Sequence, residues 1–175
     1  VTLIEYLDRV LPIEDDEVSA QVSRSFRKMG MKVMVSSQVK SVDTIGELSR
    51  ITVLTKKGEE IVEAELVLSA VGVVPNTENL GLEAAGVETV KGKITVDQYY
   101  RSSIEGVYAI GDVISTPALA HVASAEAVCC VEAIAGLNPQ PIDYSIIPAC
   151  TYISPEVASV GMTERAAKEK GIAYK

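Results

Sequence analysis

The chain contains no run of about 18 consecutive apolar residues, which excludes a transmembrane helix. It opens on Val1-Thr2-Leu3-Ile4-Glu5, with neither a basic n-region nor an initiator Met, so it reads as the interior of a longer protein rather than as a leader peptide. The formal net charge is −8 and no five like charges follow one another. Without a basic stripe to track phosphates, nucleic acid is a poor partner. An anionic small molecule stays possible, because backbone N–H groups bind phosphate whatever the global charge. The three cysteines, Cys129, Cys130 and Cys150, are odd in number and form no CxxC or CxxxxC, against a disulfide framework or a zinc site. All three are expected to pack as small hydrophobes, in a reducing, cytoplasmic setting. His121 is the single histidine, so any Ser–His–Asp or Cys–His relay would have to run through it. It falls in the first turn of an apolar helix with no base or nucleophile near in sequence. Packing or hydrogen bonding is therefore expected there, with no catalytic and no metal-binding residue assigned. None of the twelve glycines forms G-x-G-x-x-G. There is no internal repeat and no low-complexity segment.

What is present is enough for a core: 47% of residues are hydrophobic, and mean hydropathy is +0.22. The opening reads as strand, helix, strand. Val1 to Glu5 is extended, and Glu14-Asp15-Asp16-Glu17 puts acids in a first helical turn. Val18, Val22, Phe26 and Met29 follow at helical spacing, with Gly30 at the C′ position and a strand from Met31 to Val35. That is half of a parallel α/β unit. A β-meander follows, over Val39 to Val42, Arg50 to Thr55, and Glu60 to Glu63, with a turn at Lys57-Gly58. Ala64 to Val71 is a mostly apolar run ending at Gly72, expected as a strand returning to the main sheet. Pro75 and Asn76 then break the pattern. A polar, turn-rich connection with a short strand at Ile94-Thr95-Val96 leads to Gly106-Val107-Tyr108-Ala109-Ile110-Gly111-Asp112. Beyond a second break, Gly136 to Pro141, the tail carries a strand-like Val157 to Gly161 and a helix start at Thr163-Glu164.

The Gly106–Asp112 stretch is expected as a buried strand, Val107 to Ile110, feeding a helix from about Leu119 to Ala135. Gly111 lets backbone or ligand approach closely. Asp112 accepts hydrogen bonds from sugar-like hydroxyls when ionised. The helix start offers free N–H groups and partial positive charge. Two readings stand at this point, a cofactor site or a plain strand-to-helix turn in which Asp112 caps locally. Glu5 likewise reads as a ribose-binding acid at the end of a Rossmann strand or as a surface acid, and Gly72 as a ligand-facing strand end or a tight turn.

Five stretches together resemble the flavoprotein pyridine nucleotide-disulfide oxidoreductases, on the dihydrolipoamide dehydrogenase side of that family. They are Val1 to Pro12; Ala70-Val71-Gly72-Val73-Val74-Pro75-Asn76-Thr77 with the following Glu78 to Leu82; Gly106 to Val113; Leu119-Ala120-His121; and Tyr152 to Gly161. The resemblance implies an α/β fold in three pieces. Residues 1–74 would be the C-terminal half of a Rossmann-like NAD-binding domain, a parallel sheet plus β-meander. Residues 75–138 would be a central segment returning to an FAD-binding domain, and 139–175 the start of an α+β interface (dimerisation) domain. It also implies roles. Glu5 resembles the carboxylate that holds the NAD adenosine ribose, and an acid there favours NAD over NADP. Val39 and Gly72 resemble NAD-contacting positions, and Asp112 the residue that holds the FAD ribityl chain. Ala118, Leu119, Ala120 and His121 resemble the helix start under the isoalloxazine, where backbone N–H groups stabilise negative charge on reduced flavin.

The implied parent enzyme oxidises dihydrolipoyl groups through a redox disulfide and FAD, with hydride transfer to NAD. It would act as a homodimer serving the lipoyl domains of a 2-oxoacid dehydrogenase complex. The family's redox cysteine pair, glycine fingerprints and His–Glu pair are absent from this chain, and Val122 stands where the lipoamide branch usually has Lys. The chain alone is therefore expected to be inactive. A mercuric or glutathione-type reductase, a soluble transhydrogenase, and a non-catalytic nucleotide-binding module are the alternatives.

Overall fold

The computed structural model describes residues 1–174, which divide into two compact units. The first contains Val1–Ala70 and Pro148–Lys175, and the second Val71–Ile147.

In the first unit β1 (Thr2–Ile4) pairs in parallel with β2 (Lys32–Met34), with Leu3 opposite Val33. Parallel neighbours need a crossover, and α1 (Asp16–Lys28) provides it. Its first turn carries Asp16 and Glu17 and its last turn Arg27 and Lys28, each sign opposing the helix dipole. Gly30, at φ +85°, ends it: its N–H donates to Arg27 C=O while Met31 N–H donates to Phe26 C=O. This two-bond closure satisfies carbonyls the helix would otherwise leave orphaned. The antiparallel meander β3 (Gln38–Ile45), β4 (Leu48–Thr55) and β5 (Gly58–Ala64) follows in the order β3-β4-β5. Ile51 and Val53 of β4 are buried with Met34, against Ile4, Val62 and Ala64. The tail adds the hairpin β8 (Ala149–Thr151) and β9 (Val157–Ser159) and the short helix α3 (Glu164–Glu169). Thr163 caps α3 by accepting from Ala166 N–H. The Asp15 carboxylate, instead of capping its own helix, accepts from Glu164 N–H at 2.7 Å.

The second unit contains the two-stranded ribbon β6 (Thr89–Val90) and β7 (Lys93–Ile94), and α2 (Ala120–Ile134). Lys91 and Gly92 both have positive φ, the twist a two-residue hairpin needs. The core gathers Val87, Ile94, Tyr100, Ala109, Ile114, Cys129 and Cys130.

Three expectations are corrected. Val107 to Ile110 is not a strand. It is extended chain tied to Tyr100–Ser102 by one isolated bridge, Arg101 to Tyr108, and by Ala109 N–H donating to Tyr100 C=O. The run after Ala64 is not a strand either. Residues 65–71 have no regular structure, and Leu66, Leu68 and Val71 are 85%, 87% and 94% exposed. A strand exists only with a partner for its N–H and C=O groups, and this run pairs with none among the described residues. Finally, Cys150 lies exposed on β8, whereas Cys129 and Cys130 are buried as expected. The strand rise brings alternate residues to opposite faces, and Cys150 falls on the outer one, between half-buried Ala149 and Thr151.

Candidate functional site

The Gly106–Asp112 stretch ends in a single 3-10 turn, Gly111–Val113, closed by Ile114 N–H donating to Gly111 C=O. Gly111 is buried at φ +70°, a conformation that a side chain disfavours. A Cβ added to it would stand 3.3 Å from the Ala123 methyl group, so the turn lies directly on α2. The Asp112 carboxylate is exposed and makes no ion pair among the described residues. Between this turn and the helix, the hydroxyl of Thr116 is buried with no hydrogen-bond partner among the described residues.

The start of α2 is unusual for a helix of 15 residues. Leu119, its N-cap residue, offers no side-chain cap, and the first turn holds no acid. The first main-chain bond runs from Ala123 N–H to Leu119 C=O, so the amides of Ala120 and Val122 precede the helical ladder. Exposed Ala118 and Ala120 flank half-buried Leu119, and His121 is exposed in the first turn, as its position in the sequence suggests. Val122, next to it, is completely buried.

Beneath the turn lies a group that the motif reading missed. Glu126 of α2 is completely buried. Its Oε2 accepts the Gly111 N–H at 2.6 Å, and its Oε1 accepts the Tyr144 O–H at 2.9 Å. The Tyr144 proton is thereby committed, so in the 3.0 Å pair of phenols Tyr100 O–H donates to Tyr144. Burial, first, and then the bonds to Tyr100 and Glu126 push the Tyr144 phenol far up. Burial likewise raises Tyr100, partly offset by its bond to Tyr144. A signal for Glu126 was present in the sequence: with Val122, Cys129 and Cys130 it forms the buried stripe of α2 at helical spacing, a lone acid on an apolar face. Its partners were not legible, because Tyr100 and Tyr144 lie 26 and 18 residues away, Tyr100 in a loop and Tyr144 at the start of the 3-10 turn Tyr144–Ile146.

The other site residues fall in two places. Glu5 follows β1. Its N–H donates to Met34 C=O and its C=O accepts from Ser37 N–H, which sets the start of β3, with Val39, beside it. The Glu5 Oε1 accepts from Leu7 N–H at 2.7 Å. Val39 is exposed at a bulge, where the β3–β4 register shifts between Val39 and Ser41. Gly72 does not end a buried strand. It sits exposed at φ +105° between Val71 and Val73, which are themselves exposed.

Residues 1–127 match the family described as pyridine nucleotide-disulphide oxidoreductase, and residues 147–175 match that family's dimerisation domain. The chain belongs to this family of α/β proteins. More particularly, it is 44% identical to a dihydrolipoyl dehydrogenase of Rhizobium etli over 98% of its own length and 36% of that enzyme. It is 43% identical to the mitochondrial dihydrolipoyl dehydrogenase of Pisum sativum over all of its length and 35% of that protein. It is also 42% identical to the leghemoglobin reductase of Glycine max, over all of its length and 34% of that protein. The crystal structure of LpdA from Mycobacterium tuberculosis superposes with a TM-score of 0.89 at 30% identity, over 99% of this chain and 37% of that one. The chain thus spans little more than a third of the curated relatives it matches.

Proposed function

We propose that this chain supplies part of the cofactor-binding framework of a dihydrolipoyl dehydrogenase, an FAD- and NAD-dependent enzyme that oxidises dihydrolipoyl groups. The observation that carries the proposal is the Gly111–Asp112 turn. An exposed carboxylate without an ion pair among the described residues stands on a buried glycine, next to an uncapped helix start free of acids. That donor and acceptor set fits a flavin nucleotide: Asp112 for ribityl hydroxyls, and the helix start at Ala118 to His121, through the Ala120 amide and the helix dipole, for the electron-rich edge of the ring, the Leu119 N–H being already given to Pro117 C=O. The Thr116 hydroxyl in the same loop, unpartnered among the described residues, adds one more polar group for such a ligand. Bound flavin would supply the electron-transfer chemistry, while the chain binds and orients it. In the first unit Glu5 would hold the NAD ribose through Oε2, its Oε1 already being engaged, with Val39 and Gly72 as further contacts.

The piecewise assignment belongs to the same proposal: 1–74 to NAD binding, 75–138 to FAD binding, 139–175 to the interface of a homodimer that docks lipoyl domains. The match of residues 147–175 to a dimerisation domain supports the last part. A cytoplasmic location goes with the proposal and fits three free cysteines.

A chimera tests it. This chain replaces the matching segment of the Rhizobium etli enzyme, and retained FAD and dihydrolipoamide–NAD turnover are measured. Flavin uptake with lipoamide activity is expected, and no activity from the 175-residue chain by itself. A folded chimera without flavin, or one active only on another disulfide, would refute the assignment.

A further inference from the structure

Glu126 has no place in the cofactor contacts above, yet it is the most deeply buried ionisable group of the second unit. A carboxyl group removed from water is costly unless its oxygens are satisfied, and here each oxygen has one donor. One of the two is the main chain of the turn itself. Behind the other, Tyr144, stands Tyr100, whose φ is +67°. A bulky side chain in the left-handed region is strained, and such strain persists only when the surroundings hold it. They do: the Asp97 Oδ1 accepts from both Tyr99 N–H and Arg101 N–H, and Tyr100 N–H donates to Asp97 C=O. The strained residue delivers its hydroxyl to the far end of the chain Tyr100–Tyr144–Glu126–Gly111.

We propose that Glu126 is a positioning residue for the nucleotide-binding turn: the Tyr100–Tyr144 pair orients its carboxyl group, and that group holds the Gly111 amide so that Asp112 faces the ligand. The proposal rests on the flavin assignment above for what the turn binds, but not for the clamp itself. Gln at this position has nearly the same shape and one acceptor fewer. If its oxygen keeps Gly111, its amide donates to Tyr144, Tyr144 turns to donate to Tyr100, and the buried Tyr100 hydroxyl loses its acceptor. If its amide faces Gly111, two donors oppose each other. Either arrangement loosens the turn without removing any ligand contact.

Two measurements separate the clamp from the flavin assignment. In the labelled 175-residue chain, the Gly111 amide proton should resonate far downfield and exchange slowly with solvent. Glu126→Gln should move it upfield and speed exchange by about tenfold or more. Tyr144→Phe, which removes the donor that orients the carboxyl group but keeps the acceptor of the Gly111 amide, should shift the resonance the same way by less than Glu126→Gln does. In the chimera, Glu126→Gln should weaken FAD binding by about tenfold or more while Cys150→Ser, on exposed β8, leaves it unchanged. An ordinary, rapidly exchanging Gly111 amide in the parent chain, or a Gln variant that leaves both the amide and FAD affinity as they were, would overturn the proposal. A chimera that takes up no flavin with Glu126 intact would overturn the flavin assignment, and the amide measurement would still decide the clamp.

Discussion

At the scale of single residues, the second unit concentrates its demands on a few atoms. Gly111 meets three at once: a positive φ, close contact with Ala123, and an N–H aimed at a buried carboxyl group. Alanine there keeps the amide but must adopt a left-handed conformation costing about 1–2 kcal/mol, with a further charge for the 3.3 Å approach to Ala123. Gly111→Ala should therefore destabilise the unit by about 1–3 kcal/mol in urea denaturation. Gly106→Ala, also at positive φ but with open space around its missing Cβ, should cost no more than the conformational part. Equal losses at the two glycines would show that the turn does not sit tightly on α2.

At the scale of elements, the pattern of what was legible follows from where each element finds its hydrogen bonds. Helices α1 and α2 close their own, so apolar spacing, the acids before Val18, and Gly30 sufficed to place them. The β3-β4-β5 meander was legible for a related reason: its partners are sequence neighbours joined by short turns. Val107 to Ile110 and the run after Ala64 have strand composition but not the distant partners that a strand requires, and neither forms one. The same limit applies to the site. Gly111, Asp112 and the helix start could be read from one contiguous stretch, whereas the Tyr100–Tyr144–Glu126 chain is tertiary and became visible only in the fold.

That buried face of α2 has a consequence for pH. Burial raises the thiols of Cys129 and Cys130 above their ordinary 9.0, and the phenols of Tyr100 and Tyr144 above 10.0. In the unfolded chain these groups release protons at their ordinary values, but in the folded unit they hold them to higher pH. Above about pH 9 the native state therefore binds more protons than the unfolded state, and stability must fall as pH rises. The contribution is complete below pH 9, so the urea midpoint should be flat on that account near neutrality and decline between about pH 9 and 11. A midpoint that rises over this interval would contradict the burial of the four groups.

At the scale of the whole molecule, area decides the argument. The chain exposes 12417 Å². Two separately closed domains of these sizes would expose only about 10,000 Å² by the usual surface scaling, even before any contact between them is counted. The excess is rich in large apolar side chains: Leu66, Leu68, Val71, Val73 and Val74 are each more than four-fifths exposed, within ten residues that have no regular structure. So many large apolar side chains in one exposed run are rarely left open in a stable monomer. The isolated chain should therefore bind a hydrophobic dye strongly and self-associate with rising concentration in sedimentation velocity. Replacing Leu68 and Val71 together by Lys should reduce both effects, because the added charges oppose burial of that segment against a second copy. Inside the chimera the same segment lies within a protein of which this chain makes up 36%, and there the dye signal should fall to the level of the unaltered Rhizobium etli enzyme. If the double lysine variant leaves association unchanged, the open surface that drives it lies elsewhere. If the chimera still binds dye, the remaining two-thirds of the relative does not cover this segment, and the surface left open here is not an interface of the longer enzyme.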